Sequence, residues 1–179
     1  MIQRRQTLWL ALTALCMGLC FAFPVAEYTI DQSSGQQVLA RLDLVAKDNP
    51  EMMNQLNNME PVVEYSQRLS GMPTWPLVTL VLLCGAVALG SIFLFRKRMV
   101  QVRIVSLGFM INVVYSFVLF FWAVDKYAEL VSSGFGGSEA AISWGVGSYL
   151  PLATLVLFFL AQRAIRKDEA RVRAADRLR

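Results

Sequence analysis

Four stretches of this chain, residues 7–26, 74–95, 104–124 and 142–161, contain no Asp, Glu, Lys or Arg. Each has about the ~20 residues that a helix needs to cross a hydrocarbon core roughly 30 Å thick. A soluble helix of that length interrupts its apolar residues with charge on the face turned to water. Here the charges stop at the edges, at Arg5, Glu27, Arg96, Arg103, Asp125, Glu139 and Arg163. The composition agrees, with 17% charged residues against about 25% in soluble domains. The pattern predicts an all-α fold: a four-helix transmembrane bundle forming one integral membrane domain over residues 1–179.

The first stretch also has the outline of a secretory leader, with basic residues before an apolar run. The exit Phe23-Pro24-Val25-Ala26 puts a proline where a cleavage site needs a small residue, and the run is long for a leader. We therefore read it as a helix kept in the membrane.

Lys and Arg in short flanks set orientation. Arg4 and Arg5, the loop residues Arg96, Lys97, Arg98 and Arg103, and seven basic residues of the tail make thirteen of the 17. The other two connections hold Arg41, Lys47, Arg68 and Lys126, together with ten of the 13 acids. This distribution predicts both termini in the cytoplasm, a small extracytoplasmic cap over residues 27–73 and a helical basic tail over 162–179. Trp75, Trp122, Trp144, Tyr28, Tyr127 and Tyr149 then fall near the outer interface and Trp9 near the inner one, the expected aromatic belts.

The cap has two readings. Ser34 to Gln37 fits a capping box ahead of Val38, Leu39, Leu42, Val45 and Ala46 at helical spacing. Alternatively Tyr28, Thr29 and Ile30 lead through a turn at 31–36 into Val38, Ala40, Leu42 and Leu44, which alternate with Arg41 and Asp43 as in a hairpin. The helix is the favoured reading, and the hairpin stays open. Asn49-Pro50 reads as the start of another helix. Residues 132–138, rich in Gly and Ser, read as a flexible loop, with Ser138 the N-cap of the last span.

Candidate chemistry is sparse. The chain has no histidine, the commonest general base and metal ligand. No span holds an ionisable acid or base of the kind that ion and proton pathways use. The acids of the outer connections lack metal-ligand spacing and read as a solvated face. Cys16, Cys20 and Cys84 all lie within spans and read as small packing residues; a thiol-redox role is a distant alternative. Asn112, Tyr115 and Ser116 form the polar cluster of the third span and read as interhelical glue, with a substrate-lining face as the alternative. Ala86 and Gly90 make a small-xxx-small pair for close helix approach. Gly145, Gly147, Ser148 and Pro151 predict a loosened or kinked start to the fourth span.

The tail carries Arg163, Arg166, Lys167, Arg171, Arg173, Arg177 and Arg179, the candidate contacts with lipid or a partner protein. Anionic headgroups of the inner leaflet are its nearest anions, so nucleic acid is not expected as a ligand. Ala161, Ile165, Val172, Ala175 and Leu178 add a thin apolar stripe along the same helix.

The opening Met1-Ile-Gln-Arg-Arg-Gln-Thr7, the inner loop Arg96-Lys-Arg-Met-Val-Gln-Val-Arg103 and the closing segment from Ala164 to Arg179 resemble a family of four-span membrane proteins of Bacteroidetes, domain-of-unknown-function family 4293. The resemblance implies a Gram-negative inner membrane, and it carries no catalytic residue and no cofactor. The reading that follows is a non-enzymatic membrane subunit or scaffold bound to an unidentified membrane or cytoplasmic protein. The alternative is a small-molecule transporter or permease subunit.

Overall fold

The structure, a computed structural model, describes residues 3–31, 37–45, 74–94, 98–134 and 140–177. In chain order these form α1 (Gln3–Leu19), β1 (Ala26–Asp31), β2 (Gln37–Leu42), α2 (Trp75–Phe93), α3 (Arg98–Val118), a π turn (Leu119–Ala123), α4 (Val124–Gly134), β3 (Ala141–Trp144) and α5 (Val146–Arg177). The proposed capping box at Ser34, the helix starting at Asn49-Pro50 and Ser138 as an N-cap lie outside the described residues.

Three apolar helices are long enough to cross a membrane: Trp75–Phe93, Met99–Ser133 and Val146–Val172. The apolar part of α1, Gln6–Leu19, is shorter. The first apolar run leaves the helix early because Pro24 disfavours helical backbone in the residue before it and has no N–H to donate. Pro76, by contrast, sits in the first turn of α2, where N–H groups have no partner within the helix. At the other end of α2 the Ser91 carbonyl accepts from the Leu94 N–H at 3.3 Å and from Gln101 Nε2 at 3.0 Å. Terminal carbonyls need such partners from outside the helix.

The chain divides into two compact units. The helical unit comprises Met1–Leu19, Thr79–Ser116 and Leu150–Arg179. Its apolar core joins Leu10, Ala88, Val105, Phe158, Ala161 and Ile165, all fully buried. Its polarity runs opposite to that of a soluble bundle. Thr13, Ser91, Asn112 and Thr154 are buried, whereas Leu8, Leu15, Leu82, Leu107, Val114, Val156 and Phe159 are exposed. A chain in water avoids so much contiguous apolar surface; lipid is the solvent that suits it.

Helices in this unit approach closely at Gly108, where an added Cβ would lie 2.8 Å from Val87 Cγ1 and 2.9 Å from Phe158 Cε1. The expectation for Ala86 and Gly90 is corrected here: Ala86 is exposed, and a Cβ on Gly90 would meet nothing within 4 Å. Small-residue spacing marks a possible contact face, and the packed face of α2 turned out to be the one bearing Val81, Cys84 and Ala88.

The sheet unit comprises Cys20–Val78 and Phe117–Tyr149. It overturns the favoured helix for residues 38–46 and qualifies the all-α reading. Its three strands are ordered β2-β1-β3, both pairings antiparallel. The β1–β2 register sets Tyr28 opposite Ala40 and Ala26 opposite Leu42, all four buried. Glu27 and Arg41, also opposite, form an ion pair at 3.0 Å on the other face. Val38, Leu39 and Leu42 satisfy a helical period as well as Val38, Ala40 and Leu42 satisfy an alternating one. A strand partner on the far side of the turn is what decides between them.

β3 pairs with β1 from Ala26↔Trp144 to Thr29↔Ala141. The last helix therefore starts at Val146 rather than at 142, and α4 extends through Ser132 and Ser133 to Gly134, into what reads as a loop. After β3 the backbone crosses residues 24–25 closely: Gly145 N–H donates to Val25 O and Gly147 N–H to Pro24 O, each at 2.9 Å. Ser148 Oγ donates to Gly145 O at 2.7 Å. α5 then runs unbroken through Pro151.

Tyr28 and Tyr127 are the second correction in this unit. Both are buried, so neither belongs to an interfacial belt. Their rings lie 5.0 Å apart; Tyr28 OH donates to Val124 O at 2.9 Å and Tyr127 OH to Arg41 O at 2.8 Å. Burial, with Tyr127 and Asp125 nearby, pushes the Tyr28 phenol above its usual pKa and keeps it a donor. Val124 closes the π turn through its N–H to Leu119 O, and the extra residue in such a turn re-aims the helix that follows. Trp75, Trp122, Trp144 and Tyr149 remain exposed, as interfacial anchors would be.

Candidate functional site

The third-span cluster is the polar centre of the helical unit. Asn112 is fully buried on α3. Its Nδ2 donates to Pro151 O at 3.0 Å and to Thr154 Oγ1 at 2.8 Å, both on α5. Thr154 Oγ1 in turn donates to Pro151 O at 2.8 Å. Ser116 Oγ turns back to Asn112 O at 2.9 Å, a bond within its own helix. Tyr115 is also fully buried on α3. Both amide hydrogens of Asn112 are thus used between helices, and Asn112 Oδ1 is buried without a hydrogen-bond partner among the described residues. The arrangement favours the glue reading over the substrate-lining one. Thr154 is the partner that sequence reasoning missed; its spacing from Pro151 was the available signal, because a hydroxyl three residues on reaches back to that carbonyl.

The tail is a helix through Arg177. Arg163, Arg166, Lys167 and Arg171 are exposed along it. The side chains of Arg173, Arg177 and Arg179 lie outside the description. The apolar stripe divides: Ala161 and Ile165 belong to the core, whereas Val172 is exposed. The side chains of Ala175 and Leu178 are likewise undescribed. Two of the five stripe residues are therefore spent inside the unit.

The structure also buries an acid of the tail helix. Asp168 is buried, and its Oδ2 accepts from Gln6 Nε2 on α1. A second long-range polar contact joins Gln162 Nε2 to Ser106 Oγ at 3.3 Å. The signal for Asp168 was its position: three residues after Ile165, it shares the buried face of α5.

The cysteines are unbridged; Cys20 and Cys84 are buried and Cys16 is half-buried. Among the described residues no group of three or more Cys, Asp or Glu side chains is arranged to hold a metal. Comparison with curated proteins gives no match. The family model for a domain of unknown function, DUF4293, matches residues 2–178, and the chain belongs to that family.

Proposed function

We propose that this chain is a non-enzymatic four-helix subunit of a bacterial inner membrane that binds a partner protein, with both termini in the cytoplasm. The membrane assignment is supported by the apolar exterior and polar interior of the helical unit, and by three helices long and apolar enough to span. α1 is the fourth span in this reading. It packs within the unit through the buried Leu10 and Met17. The basic residues on the two ends and the inner loop support the orientation. A fluorescent protein fused after Arg179 is expected to fluoresce and alkaline phosphatase at the same point to be inactive; the reverse pair would invert the topology.

The observation that carries a binding role over a transport role is the asymmetry of α3 and α5. Inward, the donors of Asn112 are occupied by Pro151 and Thr154. Outward, Arg163, Arg166, Lys167 and Arg171 form an open basic face. At about 1.5 Å per residue, Arg171 lies about 12 Å beyond Arg163 along the helix, roughly a Debye length farther than the headgroup layer that Arg163 meets. The proximal residues suit lipid, and the distal ones an acidic protein surface. Pull-down in mild detergent is expected to recover a defined protein that disappears when residues 171–179 are deleted. Recovery unchanged by the deletion would remove the tail as the docking element.

A further inference from the structure

The apolar core of the helical unit takes one layer from each of its helices: Leu10, Ala88, Val105 and Ile165. One turn farther toward the chain termini, the same register yields a second layer. Gln6 lies four residues before Leu10, Ser91 three after Ala88, Gln101 four before Val105 and Asp168 three after Ile165. Residues three or four apart share a helix face, so this layer faces the same interior. All four are buried: Gln6 is 6% exposed, Ser91 0%, Gln101 2% and Asp168 9%.

The layer is rich in oxygen. Gln6 Nε2 donates to one oxygen of Asp168. Gln101 Nε2 donates to Ser91 O, which can only accept, so the orientation of this amide is settled. Gln101 Oε1 then points away, buried and without a hydrogen-bond partner among the described residues. Ser91 Oγ spends its hydrogen on Ala88 O at 2.7 Å and keeps its lone pairs. Among the described residues the carboxylate of Asp168 forms no ion pair; its hydrogen-bond partner is an amide. A buried carboxylate matched by a neutral donor and a buried carbonyl matched by nothing are both costly, and both are relieved by positive charge.

We propose that this layer binds one monovalent alkali cation between the carboxylate of Asp168 and Gln101 Oε1, with Ser91 Oγ in reach. Carboxylate, carbonyl and hydroxyl oxygens are the donors that hard cations take. One negative charge balances one positive charge; a divalent ion would leave uncompensated charge in a site removed from water. Occupied, the ion ties α5 to α3 and α2 and holds the base of the tail rigid.

The test uses the full-length protein in detergent, melted in sodium, potassium or N-methylglucamine chloride at equal ionic strength. The expected result is a saturable rise in Tm in one of the alkali salts, about 3 °C at ten times Kd. Asp168→Asn and Gln101→Leu should abolish that rise, and Asn112→Leu, which weakens the bundle elsewhere, should keep it. The same Tm in all three salts, or a rise that survives Asp168→Asn, would overturn the site. Sodium NMR linewidths need no variant: broadening by the wild-type protein that potassium reverses is expected for a shared site, and an unbroadened line in a sample whose Tm ignores sodium and potassium rejects it.

Discussion

Gly145→Ala and Gly147→Ala are each expected to destabilise the folded protein by about 3 kcal/mol, the upper end of the cost of overpacking. A Cβ on Gly145 would lie 2.3 Å from Pro24 O, and one on Gly147 would lie 2.6 Å from Pro24 O and 2.8 Å from Phe23 O. These neighbours are backbone atoms and have no rotamer to change. The backbone of residues 24–25 is itself held by Val25 N–H to Leu42 O and by the two glycine N–H groups. Relief would require parting the segments that carry β1 and β3. For a chain of this length the loss corresponds to a fall in Tm of about 6–12 °C. Two controls separate this from a general effect of alanine. Gly18 and Gly90 would each receive a Cβ into open space, so alanine there should be neutral or slightly stabilising. Gly108→Ala should fall between, because the Val87 and Phe158 side chains it meets can shift. A Gly145→Ala protein that melts with the wild type would refute the close crossing after β3.

Asn112→Asp is expected to cost more than Asn112→Leu, about 3 against about 1–2 kcal/mol. The aspartate oxygen that replaces Nδ2 would face Pro151 O and Thr154 Oγ1. Pro151 O is an acceptor, and the hydroxyl hydrogen of Thr154 is already given to it. Donor would become acceptor against two acceptors, in a fully buried site. Leucine merely deletes the bonds and fills a similar volume, leaving Thr154 still bonded to Pro151 O. Detergent melts of the two variants test the order. Partner capture by folded Asn112→Leu should match the wild type. A wild-type melt with lost uptake of a small molecule would instead revive the permease reading.

Much of the helical unit is readable from charge alone. Lys, Arg, Asp and Glu stay out of residues 74–94 and 104–124, and helices occupy nearly all of both. The ambiguous parts were those where two periods fit the same residues. Val38 to Leu44 serves either a helix or a strand, and Tyr28 reads as an interface anchor until its hydroxyl is seen on Val124 O. Ala86 and Gly90 have the spacing for close approach, yet the contact went to Gly108, because spacing does not say which face of a helix meets a neighbour. Asn112 reads from sequence as interhelical glue or as a substrate-lining residue, and its bonds to Pro151 O and Thr154 Oγ1 depend on how two helices are aligned along their axes.

Asp168 marks the boundary between the two kinds of information. By itself the sequence determined that the basic tail would be a helix, since Ala, Arg, Glu and Lys favour that backbone and no glycine or proline interrupts it. It determined equally which stretches suit a hydrocarbon solvent, because transfer of a charged group into lipid is a local cost, counted residue by residue. Pairings between distant residues carry no such local price. That Gln6 meets Asp168, that Gly145 leaves room for Pro24 O and that β1 lies between β2 and β3 followed only from the tertiary structure. Each depends on the mutual fit of segments far apart in the chain, and that fit decides which of several acceptable local conformations survives.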